Sequence, residues 1–362
     1  MSEPTTDDSK AGAGPLVGPH EGAVLPCREK RGYVGPRLFV WVAVLLAMLV
    51  GSIALSLTMG PVEMPLAEVA SLLGSDTHSL RREIVVNLRL PRALAAAFLG
   101  MGLALCGLAM QAVVRNPLAD PYLMGISSGA GLGAAASILW LGAAGPTLPA
   151  MAFAGALSAG GLVFALGSRG RAPVHMLILA GLAMNVLCSS FTGLLVFLNV
   201  DPQRLQNLSF WLMGSLAPAT WAVLPFPASV TLLGAFFFWF QGRNLNLVSL
   251  DDDESRSLGA SPRRLRLAFL AVTALMTSAL TAFFGIIGFV GLIIPHIMRF
   301  FAGGDHLRLA PLTALAGGIF MVLVDAVARS SADAEIPLGV ITGAIGSPFF
   351  FWLLLCPGGR GR

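Results

Sequence analysis

Long apolar runs separated by short polar breaks dominate the chain. The first covers 38–59, and others follow at roughly 93–114, 122–141, 147–167, 174–198, 221–241, 266–286, 287–302, 309–329 and 336–355. Most hold close to the ~20 residues that cross a hydrocarbon core as a helix. Arginine, glycine and proline mark their ends. The stretch 266–302 is too long for one helix and short for two. Gly285, Gly288, Gly291 and Pro295 lie in its middle, and they predict a break into two helices, the second short. The pattern predicts an all-α polytopic membrane protein with ten transmembrane helices.

Residues 1–36 carry Gly, Pro, Ser and charge without periodicity. They are expected to be a disordered cytoplasmic tail. They lack the build of a signal peptide, because the first apolar run starts at Leu38 and is too long for one. Residues 37–357 form the ten-span domain, and 358–362 form a short cytoplasmic tail. With the N-terminus inside, seventeen Lys and Arg residues fall on the inner side. Six fall outside: Arg81, Arg82, Arg89, Arg92, Arg204 and Arg329. The positive-inside bias therefore places both termini in the cytoplasm. Helices 2–5 and 7–10 are then equal in number and start on opposite sides, as two inverted-related halves require.

Composition removes several classes. Only 12% of residues are charged and the mean hydropathy is +0.79, against about 25% charged in a soluble domain. The basic residues are scattered at helix ends, so nucleic-acid binding has no support. The four cysteines show neither metal-ligand spacing nor a disulfide framework. Cys106 and Cys188 read as small apolar fillers. No cofactor or metal is expected. The two lysines, Lys10 and Lys30, both lie in the tail, and neither follows a Gly-x4-Gly pattern. A P-loop needs its lysine on the phosphates, so ATP hydrolysis, if it drives this protein, belongs to another subunit.

Four segments carry specific wording. The elbow after the second run reads NPLADPYLMGISSGAG, from Asn116 to Gly131. The others are LVSLDDDESRSLGASPRRLR, FFGIIGFVGLIIPHIMR and EIPLGVITGAIGSPFFFWLLL. Together they closely resemble the FecCD-type permeases, the membrane subunits of binding-protein-dependent ABC importers for iron chelates, haem and cobalamin. The resemblance covers about residues 38–356. It implies a homodimer with a second copy of the chain, two ATP-binding subunits, and a periplasmic or lipid-anchored substrate-binding protein. It also implies a bacterial cytoplasmic (inner) membrane location, and it supports the inverted halves.

Candidate residues divide by face. Arg89, Arg92 and Arg329 lie at outer helix ends and suit bidentate capture of a partner's carboxylates; snorkelling to headgroups is the alternative. The resemblance assigns them to docking of the binding protein. Asp325 and Arg329 are spaced to pair along one helix face. At the inner face, Asn116 initiates a turn and Pro117 and Pro121 stop helix continuation. The resemblance makes Asn116 and Leu118 part of the cytoplasmic gate, with Val174 and His175 at a second gate loop. In the segment 250–260, three aspartates and Glu254 favour a helix start, Asp252 and Arg256 form an i,i+4 pair, and Gly259 caps the end. By resemblance, Asp252, Arg256, Leu258 and Gly259 couple to the ATPase. The glycines at 285, 288 and 291 predict a smooth face for close packing. His296 has no second ligand nearby and reads as a packing or polar-network residue.

Asn185, Ser189, Ser190 and Thr192 on the fifth run supply mild polarity for a translocation path. An ion-coupled secondary transporter would need ionisable residues in mid-span, and the runs are nearly bare of them. A membrane enzyme would need converging catalytic groups at one depth. The reading is therefore a transport subunit, not an enzyme, that carries an iron chelate of the siderophore kind. Haem and cobalamin are its alternatives.

Overall fold

The computed structural model describes residues 36–74, 79–142, 145–168, 174–330 and 335–355. The described helices are α1 (Pro36–Thr58), α2 (Leu66–Gly74), α3 (Leu80–Glu83), α4 (Leu90–Val114), α5 (Ile126–Ala135), α6 (Thr147–Ser168), α7 (Val174–Leu198) and α8 (Pro202–Met213). They continue with α9 (Pro225–Phe240), α10 (Gly242–Ser249), α11 (Asp252–Ser257), α12 (Pro262–Phe284), α13 (Val290–Ala302), α14 (His306–Ser330) and α15 (Leu338–Leu355). No strand occurs among the described residues. A π-helical turn at Ile84–Arg89 joins α3 to α4, so one helix runs from Leu80 to Val114. It begins well before the residue 93 expected from hydropathy, because Arg89 and Arg92 find partners that let them stay helical and inside.

Six helices are long and apolar enough to cross a membrane, and four shorter apolar helices cover Ile126–Trp140, Pro225–Phe240, Val290–Ala302 and Leu338–Trp352. Every apolar run of the sequence coincides with one of these ten. The stretch 266–302 breaks at its glycines as expected, but 285, 288 and 291 do not form one smooth helix face. Gly285 and Gly288 lie in the non-helical connection between α12 and α13, not on a helix face. Gly285 takes φ +75°, and a Cβ there would fall 2.2 Å from the Trp211 carbonyl oxygen. Only glycine satisfies both demands.

Helix α4 is the centre of the bundle, packed against α9, α12, α13 and α14. Its apolar residues are buried on nearly all sides. Small residues make this possible, because in lipid the helices gain from close packing and not from leaving water. A Cβ on Gly107 would lie 1.9 Å from the Gly291 carbonyl oxygen, and one on Gly100 2.1 Å from that of Gly317. The glycines of the C-terminal helix differ among themselves. Gly339 and Gly346 meet close neighbours, whereas Gly343 faces open space.

In contrast, α1, α7 and α15 present large apolar side chains outward, among them Phe39, Leu182, Val186, Phe197 and Trp352. A surface of that kind is at rest in lipid or against another apolar protein, not in water.

Candidate functional site

The C-terminal end of α4 carries the first part of the site. The helix stops because Arg115 adopts the left-handed conformation, φ 55°, and Pro117 follows. The Asn116 Oδ1 accepts the Leu118 N–H at 2.9 Å, an Asx turn. The Asp120 Oδ1 accepts the Tyr122 N–H at 2.8 Å and starts the 3-10 turn Pro121–Met124. The Tyr122 hydroxyl reaches Thr281 Oγ1 at 3.2 Å. Asn116 and Leu118 thus stand at the surface on a turn tied down by its own side chains. Val174 opens α7, but the side chains of Val174 and His175 lie outside the described residues, as does Pro173.

Gln111, one turn before the elbow, was not singled out from the sequence. Its amide donates to the Gly291 and Leu292 carbonyls at 3.1 and 3.3 Å, and Arg299 donates to its Oε1 at 2.6 Å. The signal available was a lone amide in an apolar run.

Next to the elbow lies a pocket of about 500 Å³ lined by Asp120, Tyr122, Ser128, Asn185, Ser189 and Thr192, with Ile286 and Leu212 among the apolar residues. Ser128 donates to Asn185 Oδ1 at 2.7 Å. Three of the four residues expected on a translocation path come together here. Ser190 does not: it is exposed and donates to its own helix at Val186 O, 2.8 Å. Burial pushes the Asp120 carboxyl up to about 6, against the opposing effect of the Tyr122 N–H. A larger pocket of about 610 Å³ opens at the other end of the bundle, lined by Trp211, Phe283, Phe284, Arg204, Ser215 and Glu335 among others.

The segment 250–260 forms the short helix α11, with Leu258 as its C-cap and Gly259 at φ +80° beyond it. Its ion pairs differ from the expected one. Arg256 bonds Asp253 at 2.9 Å, not Asp252. Asp252 instead receives Arg115 at 2.6 Å and also Arg266. Partial burial works against the charged Asp252 carboxylate, but the hydrogen bonds from Arg115 and Arg266 outweigh it and hold the group below the usual carboxylate range. Leu258 is 61% exposed.

The three arginines expected to dock a binding protein are each engaged within the chain. Arg89 is buried, and its guanidinium donates to the Leu57 and Val62 carbonyls. It closes the α1–α2 connection. Arg92 donates to Asp325 at 2.8 Å and to Glu335 at 3.0 Å. Arg329 donates to Asp325 at 3.0 Å, the i,i+4 pair expected, and to Ser56 Oγ at 2.6 Å. Asp325 is fully buried between the two arginines. Glu335 also accepts from Ser215 at 3.2 Å. Burial opposes its charge, but Arg92 prevails and keeps the Glu335 carboxyl below its ordinary value. His296 packs edge-on against Phe300 and Phe349, in keeping with the packing role. The described residues hold no cluster of His, Cys, Asp or Glu able to bind a metal.

The sequence that builds this bundle matches a known family model over residues 47–356: the FecCD transport family. The chain belongs to that family. It is a multi-pass membrane permease of the ABC-importer type. The hemin transport system permease protein HmuU of Yersinia pestis is 38% identical over 90% of this chain and 97% of its own length. The cobalamin import system permease protein BtuC of Halobacterium salinarum is also 38% identical, over 75% of this chain and 73% of its own. Among solved structures, an inward-facing metal-chelate type ABC transporter superposes with a TM-score of 0.78 at 33% identity, covering 86% of this chain and 98% of that one.

Proposed function

We propose that the chain is the membrane subunit of a binding-protein-dependent importer that moves an iron chelate inward by alternating access, while separate subunits hydrolyse ATP. The observation that carries this reading is the cytoplasmic helix α11. It is tethered by ion pairs to the elbow of α4, yet it leaves Leu258 bare. An apolar side chain held out on a fixed platform calls for a partner groove, and its burial is worth about 1.5–3 kcal/mol. The proposed partner there is the ATP-binding subunit, two copies serving two permease subunits.

The homodimer is supported by the exposed apolar face of α7, which also turns Asn185, Ser189 and Thr192 toward the inner pocket. Two copies facing each other across that surface would enclose a shared path. The ten-span count and the inverted halves draw support from the ten apolar helices, and from the packing of α4 on α12, the first helices of the two halves. Both termini in the cytoplasm of a bacterial inner membrane follow from the distribution of arginine. Of the three outer arginines, Arg92 is retained for docking the binding protein. Its ion pair reaches Glu335, which is one-third exposed at the rim of the outer pocket.

The siderophore reading rests on the resemblance, and the haem alternative gains from the hemin permease matching along almost its whole length. Cobalamin is the second reading, favoured by an equally identical relative over a shorter stretch. The deciding test is reconstitution of the permease with its ATPase and binding protein in proteoliposomes. Hydrolysis stimulated by the ferric-siderophore-loaded binding protein supports the proposal, and stimulation by the haem-loaded one alone replaces it with the haem alternative. Stimulation by cobalamin alone replaces it with the second reading. Uptake by the permease alone, driven by a proton or sodium gradient, would remove the importer reading altogether.

A further inference from the structure

Arg115 spans a gap that the backbone leaves open. Its Nε donates to the Val248 carbonyl at 3.2 Å, its Nη1 to Asp251 at 3.1 Å and its Nη2 to Asp252 at 2.6 Å. One planar guanidinium thus grips the end of α10 and the start of α11, from a residue that belongs to the elbow. Asp252 is held from the other side by Arg266, in the second turn of α12. The backbone at Arg115 is left-handed, a conformation glycine takes without strain. Only Phe289 shares that state among the described non-glycine residues. A glycine here would end α4 equally well, so the side chain serves something other than the cap. The next residues are Asn116 and Leu118, and Asp120 of the inner pocket follows.

We propose that Arg115 is the positioning residue that joins α11 to the elbow, so that displacement of α11 by the ATPase is delivered to Asn116–Asp120 through the Arg115–Asp251 and Arg115–Asp252 ion pairs. This rests on the reading above that 250–260 docks the ATPase. The pairs suit the task. They are partly exposed, with side-chain accessibilities of 27% at Arg115 and 36% at Asp252, and such pairs add little to stability. Two bonds from one rigid fork, plus a third to Val248, fix direction as well as distance. A movement of α11 therefore pulls on the elbow, and the fold loses little when the joint is cut.

The test uses the full permease–ATPase complex in nanodiscs. Leu118→Cys is placed on a background lacking the native cysteines, and its labelling by a membrane-impermeant maleimide is timed with and without ATP and vanadate. With Arg115 intact, nucleotide changes the labelling rate several-fold. In Arg115→Gln that change is lost, while the ATPase co-purifies at unchanged stoichiometry and still hydrolyses ATP. Arg115→Lys, which keeps a charge on the carboxylates, retains a measurable part of it. A merely structural arginine would lower yield or stability in both variants without separating hydrolysis from gate labelling. Arg115→Gln that keeps the nucleotide-dependent change overturns the joint, and so does one that sheds the ATPase. Failure of the docking reading looks different: Leu258→Asp would then keep its ATPase, whatever Arg115 does.

Discussion

Arg92 on α4 donates to Asp325 on α14 at 2.8 Å, across 233 positions of sequence. Arg329 approaches the other oxygen of the same carboxylate, so one buried anion sits between two cations. Two of the three arginines expected to dock a partner, Arg92 and Arg329, are turned to the chain's own acids. Glu335 supplies a second carboxylate at the rim.

Removing the shared anion leaves the almost buried Arg329 without a carboxylate and Arg92 with Glu335 alone. Asp325→Ala is expected to cost about 3–5 kcal/mol, seen as a lower melting temperature and reduced yield in detergent. Glu335→Ala loses a more exposed partner and costs about 1 kcal/mol or less. Equal melting temperatures for the two variants would contradict this ranking.

Helix contacts built on glycine predict a contrast within one residue type. Gly107→Ala places a methyl against the Gly291 carbonyl, so α4 and α13 must part. Gly343→Ala meets nothing within 4 Å and gains about 0.5–1 kcal/mol from helix propensity. Thermal unfolding should therefore fall for the first and rise for the second.

Leu258→Asp keeps the spans but forfeits apolar burial at the proposed ATPase contact and adds a desolvation cost. The variant should insert at normal levels and lose the ATPase on affinity purification. Co-purification at wild-type stoichiometry, with normal transport, would move the docking site elsewhere, first to the elbow at 115–121.

Asp120 gives a pH dependence. Its carboxyl titrates near 6 in the folded protein and near 3.9 when unfolded. Between those values the native state binds more protons, so the stability it contributes falls as pH rises. Asp120→Asn keeps an oxygen for the Tyr122 N–H but cannot ionise. Its melting temperature relative to wild type should climb from pH 4 to pH 7 and level off above. A difference that stays flat over that range would show that Asp120 is charged throughout. Asp252 has the opposite sign: its depressed value keeps its contribution whole above about pH 4, so its pairs with Arg115 and Arg266 persist at neutral pH.

Much of this architecture was legible in the hydrophobic pattern. Each apolar run became a helix, because a backbone in lipid must satisfy its own hydrogen bonds locally. The elbow at Asn116, the break within 266–302 and the end of α11 at Gly259 were readable from turn chemistry, which acts over two to four residues. Asn185, Ser189 and Thr192 line one pocket, since spacings of three to four put them near one face of a helix.

What the chain could not disclose was pairing at a distance. Nothing near Arg92 in sequence announces Asp325 or Glu335, and nothing near Arg89 announces the Leu57 and Val62 carbonyls. Asp252 looked matched to Arg256 at four residues' remove, yet it turns to Arg115 and Arg266. Gly285 looked like a packing residue and proved to be a turn. Local hydrogen bonding and lipid solvation act along the chain, and they leave their mark in its order. Which cation neutralises which buried anion depends on helices brought together by close small-residue contacts, and only the packed bundle decides it.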